Sequence, residues 1–279
     1  MIHLSRLEEL QKSMMEAGFF PEKKYSQNFL VDDDAVMRLV ESASLSKKDR
    51  VLEIGAGTGF VTEKLVETGA FIHAVELRPE LCSYLSRKFE GVKNVEVIHK
   101  DILQLTNLSL DFNKVVASPP YAISDDIMYL IFEHGFEHAS LVWQFEFADK
   151  ILAPPGSSEY HPLSIIAQYQ YDGNILQKIS PKSFFPVPNH FSAILTLHQK
   201  KKNRTIPNYP IFVKWLRTLF RFKNKTLVSV AKQLDKNPVP GIPRSVLEKA
   251  IHELGLEHEK VFLLEPEDFV ELYRECVKE

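Results

Sequence analysis

Residues 51–59 read VLEIGAGTG, and the stretch that follows, FVTEKLVETG (60–69), has a helical pattern that Gly69 ends. A short apolar run that passes through three glycines into a helix is the opening strand–turn–helix of a parallel α/β sheet. Glycines at 55, 57 and 59 let the chain turn tightly, and they let a ligand approach the backbone at a helix N-terminus.

The same alternation continues outward from this point. AFIHAVEL (70–77), NVEVIHKD (94–101), KVVAS (114–118) and SLVWQF (140–145) read as strands, while PELCSYLSRKF (79–89) and SDDIMYLIFEHG (124–135) read as helices. Upstream, residues 33–45 form a helix that Asp32 or Asp33 caps, with Val36, Leu39, Val40 and Ala43 on one face. Past residue 175 the pattern changes. ILQKIS (175–180) and FSAILTLHQ (191–199) read as two arms of a β-hairpin joined by a proline-rich connection over 184–188. A polar linker (200–210) leads into helical stretches only, at 209–221, 224–235, 244–253 and 267–275. The expected fold is α/β, a Rossmann-like parallel sheet with a small C-terminal all-α domain. The domains divide near residue 200, as 1–200 and 201–279.

Bulk properties narrow the classes. The 279 residues are 44% apolar and 25% charged, ordinary for a globular protein, and no apolar run approaches the roughly 20 residues that span a bilayer. The first twenty residues carry Glu8, Glu9 and Glu16 and read as an amphipathic helix rather than a secretory signal. Cys82 and Cys276 make no disulfide framework, which points to a reducing cytoplasm. The net charge is only -3, yet residues 200–236 hold eleven Lys or Arg against one acid, a local electrostatic footprint for nucleic acid.

The ends of successive strands carry the chemistry. A dinucleotide-binding G-x-G-x-x-G needs glycine three residues after Gly57, where Phe60 stands. G-x-G-x-G preceded by Glu53 instead suits S-adenosylmethionine, which has no pyrophosphate and whose carboxylate and ammonium need backbone groups. Glu76 ends the second strand and can accept both ribose hydroxyls; Asp101 ends the third and can accept from the adenine amine. The fourth strand ends in SPPY, residues 118–121. The N6 nitrogen of adenine is a poor nucleophile because its lone pair is delocalised into the ring. A side-chain oxygen and a backbone carbonyl that accept its two N–H groups favour a pyramidal nitrogen. Proline has no N–H and fixes the chain so that a neighbouring carbonyl points inward. Tyr121 offers a face on which an extruded base can stack. Catalysis of this kind rests on alignment and placed dipoles, without a strong base.

With these residues in place the chain resembles the KsgA-type rRNA adenine N6,N6-dimethyltransferase family over nearly its whole length. KKYSQNFLVDDDAV (23–36) is similar to the N-terminal G-Q-N-F-L segment of that family. WQFEFADKILAPPGSSEYHPLSI (143–165), FFPVPNHFSAIL (184–195), LFRFKNKTL (219–227) and LEPEDFVELY (264–273) resemble later family segments. The resemblance implies transfer of four methyl groups from S-adenosylmethionine to two adjacent adenines in a hairpin loop near the 3′ end of small-subunit rRNA, on an immature small subunit during ribosome biogenesis. It also implies cofactor contacts at Gln27, Asn28, Leu30, Gly55, Ala56, Gly57, Glu76, Leu77, Asp101, Ile102 and Ser118. The base-holding loop falls on Ser118, Pro119, Pro120 and Tyr121, with Phe185 helping to hold the flipped base, and RNA contacts fall on Arg217, Arg221, Lys223 and Lys225.

The chain departs from the family pattern at several positions. Ser26 replaces a glycine, Phe145 and Lys150 replace a basic residue and an arginine, and Phe222 replaces an arginine. Asn189, His190 and Phe191 stand where Lys-Val-Asp is common. Ser118 replaces asparagine and Pro119 replaces Leu or Ile; serine offers one oxygen on a shorter arm, and amino-methylating enzymes of DNA include serine at this position. His134 and His138 stand four apart in HGFEH, but with no third ligand in reach they are expected to be surface histidines, and no metal is expected. Cys82, Trp143 and Trp215 are expected in the core. A monomer is expected. Two other readings are an assembly factor that docks on the small subunit with little or no methyl transfer, and a DNA amino-methyltransferase. The basic helical segment argues against the second.

Overall fold

The computed structural model describes residues 5–21, 28–105, 110–200, 204–234 and 241–278. In chain order the elements are α1 (Arg6–Ala17), β1 (Phe29–Leu30), α2 (Asp33–Ser42), β2 (Arg50–Ile54), α3 (Phe60–Glu67), β3 (Phe71–Glu76), α4 (Pro79–Lys88), β4 (Val95–His99), β5 (Lys114–Ala117), α5 (Ser124–His134) and β6 (His138–Gln144). Then come α6 (Phe145–Ile151), α7 (Pro162–Gln170), β7 (Tyr171–Ile179), β8 (Phe184–Phe185), β9 (Ser192–Gln199), α8 (Tyr209–Phe220), α9 (Leu227–Ala231), α10 (Arg244–Glu253) and α11 (Pro266–Cys276).

Seven strands form one sheet in the order β4-β3-β2-β5-β6-β9-β7. The strands from β4 to β6 are parallel, and β9 joins β6 antiparallel, with His138 opposite His198 and Gln144 opposite Ser192. β2 and β5 carry unbroken apolar runs because helices cover both faces of the sheet; Val51, Leu52, Val115, Val116 and Ala117 are fully buried. At the sheet edge β4 is only partly buried. α2 begins where Asp32 accepts from the Ala35 N–H (3.1 Å), so Asp32 rather than Asp33 is the cap. Between β2 and β5 the strand order reverses direction, which leaves the loops after their C-terminal ends spread apart around a crevice.

Residues 175–180 and 191–199 become neighbouring strands, as expected. The connection between them also holds β8, which pairs with β1 in a separate two-stranded ladder (Phe29 opposite Phe185, Leu30 opposite Phe184). Ser183 donates to the Asp32 carboxylate (2.7 Å) and its carbonyl accepts from Val31 N–H (2.8 Å), which fastens the two segments.

The chain divides into two compact units, one within Met1–Ala148 and Gly173–Gln199, the other within Asp149–Asp172 and Lys200–Glu279. The segment 149–172, which the sequence places before a boundary near 200, clusters with the C-terminal helices for identifiable reasons. Tyr160 is buried, packs edge-on against Phe220 (5.9 Å) and donates to the Leu264 carbonyl (3.0 Å). Gly156 N–H donates to the Phe262 carbonyl (2.7 Å). Within that unit Phe212, Trp215 and Tyr273 form a buried aromatic centre with ring separations of 5.0–5.8 Å. The helix expected over 224–235 is shorter, Leu227–Ala231, and α6 and α7 were not anticipated.

His138 corrects an expectation. α5 stops at His134, and His138 opens β6 instead of continuing a helical face, so the two imidazoles do not share one side of a helix. His138 is buried, 3.0 Å from His198 and 2.8 Å from the Ser140 hydroxyl, and burial holds its pKa well below the ordinary value, at about 3. Cys82, Trp143 and Trp215 are buried as expected.

Candidate active site

The chain leaves β2 at Ile54, and the Gly55 N–H donates to the Val75 carbonyl (2.8 Å), which ties the glycine loop to the end of β3. Gly57 has φ +59, and a Cβ there would lie 2.9 Å from the Phe29 ring, so both its conformation and its space exclude a side chain. Its N–H donates to Oε2 of Glu76 (2.9 Å), while Oε1 accepts from the N–H groups of Leu77 (2.8 Å) and Arg78 (2.9 Å). Glu76 is therefore oriented through its backbone neighbours. Burial pushes its pKa up, and these three hydrogen bonds oppose that shift.

Glu53, one residue before the strand end, is buried and accepts from the Thr62 hydroxyl (2.7 Å). Burial, with the Thr62 bond opposing and the nearby Glu76 charge adding, pushes it up to about 8. At neutral pH Glu53 is therefore mostly protonated. Asp101 caps the short turn Ile102–Gln104 by accepting from the Leu103 N–H (3.0 Å) through Oδ1.

These groups face one cavity of about 320 Å³ at the C-terminal ends of β2, β3 and β5. Of the expected cofactor residues, Asn28, Leu30, Gly55, Ala56, Gly57, Glu76, Leu77, Asp101, Ile102 and Ser118 all line it. Gln27 lies outside the described residues. Of the expected base-holding residues, Ser118, Pro119 and Pro120 line the same cavity, and a Cβ on Gly55 would meet Pro120 Cδ at 3.4 Å. Ser118 Oγ is buried and has no hydrogen-bond partner. Tyr121 is not in the wall. It opens the turn Tyr121–Ile123, and its hydroxyl lies 2.7 Å from the buried Ser192 Oγ. Burial pushes that phenol up to about 12, so it stays neutral. Phe185 is also outside the wall, but it is set beside the wall residue Phe29 by the β1–β8 pairing.

The wall also contains Phe29, Thr58, Phe60, Arg78, Leu81, Lys100 and Ile123, which the sequence reading did not single out. Phe29 and Arg78 had a signal available, since each is a near neighbour of an expected contact. Phe60 and Leu81 are also part of an apolar cluster with Leu10, Met14 and Phe19 and look in sequence like ordinary core. Arg217, Arg221, Lys223 and Lys225 lie in the second unit, at the C-terminal end of α8 and in the turn after it. Arg217, Arg221 and Lys225 are exposed, and Lys223 Nζ donates to the Ser158 carbonyl (2.8 Å). Among the described residues no group of three or more His, Cys, Asp or Glu is placed to hold a metal, and no helix is long and apolar enough to cross a membrane.

The donor set fits S-adenosylmethionine. Two carboxylates at adjacent strand ends suit hydroxyl and amine donors, a side-chain-free loop admits a ligand against backbone, and an unpartnered hydroxyl waits in the wall. A Rossmann-like sheet with this cavity at its strand ends defines a methyltransferase of the doubly wound α/β class. The chain belongs to the ribosomal RNA adenine dimethylase family, whose model matches residues 19–272. The family's methyl donor is S-adenosylmethionine and its reaction is dimethylation of adenine in ribosomal RNA. The chain is 34% identical over 253 residues to a protein of Methanococcus vannielii named "Probable ribosomal RNA small subunit methyltransferase A", covering 90% of this chain and 94% of that one. A protein of the same name from Methanococcoides burtonii is 33% identical over 249 residues, covering 89% and 90%. Among solved structures, a dimethyladenosine transferase from Plasmodium falciparum superposes with a TM-score of 0.75 at 25% identity, over 88% of this chain and 95% of that one. The 23S rRNA methyltransferase ErmE shares the fold, with a TM-score of 0.61 at 24% identity, over 89% of this chain and 99% of that one.

Proposed function

We propose that this protein dimethylates N6 of two adjacent adenines in a hairpin loop near the 3′ end of small-subunit rRNA, acting as a monomer on immature small subunits in the cytoplasm. One observation carries the reading: the unpartnered Ser118 Oγ and the Pro119-Pro120 turn share a single cavity with Glu76 and Asp101. S-adenosylmethionine, when bound, supplies an electrophilic methyl group. In this reading Gln27, Asn28, Leu30 and residues 55–57 hold its methionine end, Glu76 and Leu77 its ribose, and Asp101 and Ile102 its adenine.

The chain's own residues then do the following. Ser118 Oγ accepts one N–H of the target amine, and a carbonyl of the proline turn accepts the other, which frees the nitrogen lone pair. Tyr121, neutral and tethered to Ser192, and Phe185 hold the extruded base by its faces. Pro119 and Pro120 present no N–H, so the turn offers the amine acceptors only. The proton released from N6 passes to solvent after transfer, and no side chain is needed as a strong base. Arg217, Arg221, Lys223 and Lys225 contact RNA phosphates. The free, buried thiols of Cys82 and Cys276 suit a reducing compartment. Family membership does not favour a binding-only assembly role.

Labelled S-adenosylmethionine incubated with the purified protein and small subunits lacking the modification is expected to label those subunits, and not large subunits or already modified small subunits. Tight binding to small subunits without label transfer would overturn the reading.

A further inference from the structure

The family departures at Phe145 and Phe191 meet in space. Gln144 pairs opposite Ser192 across β6 and β9, and the Phe145 N–H donates to the Phe191 carbonyl (2.9 Å). Lys178, on β7, places its ammonium 4.1 Å from the centre of the Phe145 ring and 4.5 Å from that of Phe191. Among the described residues no carboxylate lies within ion-pair distance of Lys178, and its neighbours in space are two aromatic faces. Phe191 still exposes 47% of its surface, and Leu176, two residues from Lys178 along β7, exposes 43%. Phe191 and Leu176 thus present apolar surface around a cation that no carboxylate neutralises among the described residues.

The position of the group says what covers it. Phe191 directly precedes Ser192, whose hydroxyl holds Tyr121 on the candidate base-holding loop at 2.7 Å. Tyr121 in turn lies 6.4 Å from the Trp143 ring, and Trp143 packs edge-on against Phe147 (5.4 Å). Phe145 follows β6 and Phe191 precedes β9 at the same edge of the sheet where residues 118–121 follow β5, the parallel neighbour of β6, so the aromatic pair lies on the sheet edge that bears the loop. Rings that stack a planar group, beside an ammonium that meets an anion, match one repeating chemistry: a base with its phosphate.

We infer that Phe145, Lys178 and Phe191 form a second nucleotide subsite, which stacks an unpaired base of the RNA neighbouring the target adenine and contacts its phosphate. This deepens the proposed function and rests on it. The subsite reads no sequence, because every base has a face to stack; it fixes the strand's path so that the adjacent nucleotide arrives at Tyr121.

The test uses the full chain with Phe145→Ala and Phe191→Ala separately and together, Phe191→Trp, and Lys178→Gln. The dissociation constant for small subunits lacking the modification is measured together with kcat, KM and the affinity for S-adenosylmethionine. The double alanine variant is expected to raise Kd and KM for the subunits about ten-fold, the loss of roughly one stacked base, with cofactor affinity and kcat changed less than about two-fold. Phe191→Trp restores parent values, and Lys178→Gln weakens binding and flattens its salt dependence. Unchanged Kd and KM in the double variant, or an alanine effect that Trp does not rescue, overturns the subsite. Absence of methyl transfer by the parent protein, with Kd still ten-fold weaker in the variant, sinks the proposed reaction and leaves the subsite standing.

Discussion

Ser118 and Glu53 are the residues whose chemistry is least ordinary. A buried hydroxyl without a partner gives up its hydration with nothing in return, so its removal costs the fold little. Ser118→Ala is therefore expected to leave stability within about 0.5 kcal/mol of the parent while methyl transfer falls on the order of 100-fold, because an acceptor aimed at the amine is lost. Ser118→Asn places an acceptor on a longer arm and is expected to raise the ratio of dimethyladenosine to monomethyladenosine. Nucleoside analysis of the products reads both, and full activity in the alanine variant contradicts the role. Glu53 has its pKa raised from 4.5 to about 8 in the folded chain. The folded state binds that proton more tightly than the unfolded state does. The resulting stability is complete below pH 4.5 and drains away as pH rises through 8. Glu53→Gln keeps an acceptor for Thr62 and cannot ionise. Its thermal midpoint in the cofactor-free protein is expected to gain on the parent by on the order of 5 °C between pH 6 and 8.5. Parallel pH profiles for the two proteins contradict this.

Among elements, those with a strong local signal were legible and those made by distant pairing were not. β2, β3 and β5 are short buried runs bounded by Gly, Glu and Ser, and their ends name the site. The β1–β8 ladder joins two residue pairs about 155 positions apart, and no local pattern in Phe29–Leu30 or Phe184–Phe185 announces it. That ladder is what brings Phe185 beside the cavity wall. α6 and α7 were hidden for a different reason: Pro154, Pro155 and Gly156 interrupt the segment, and the buried faces of α7 have no polar side to give a period. His134, at the end of α5, is exposed as expected, but His138, four residues later, opens β6 and is buried, because Gly135 ends the helix and the chain enters the sheet there. The turn after α8 carries the basic residues. Lys223→Glu with Lys225→Glu is expected to weaken subunit binding and reduce the slope of log K against log salt by roughly 1–2, with S-adenosylmethionine affinity unchanged. An unaltered salt slope means that these residues do not meet RNA.

At the scale of the whole molecule, every described residue of the cavity wall falls in the unit with the sheet, and the unit of helices contains the basic run. The sequence carried both through composition: strand-end acids mark the first, and eleven basic residues against one acid over 200–236 mark the second. It could not show that residues 149–172 fold with the helices, because Tyr160 and Gly156 find Leu264 and Phe262 about a hundred residues later. The central claim is that a base held at residues 118–121 is methylated on its exocyclic nitrogen. The most direct measurement is mass spectrometry of the 3′-terminal fragment of small-subunit rRNA, after the purified protein and S-adenosylmethionine have acted on subunits lacking the modification. The account predicts N6,N6-dimethyladenosine at two adjacent positions in the loop; unmodified adenines there, or methyl groups on another base or atom, contradict it.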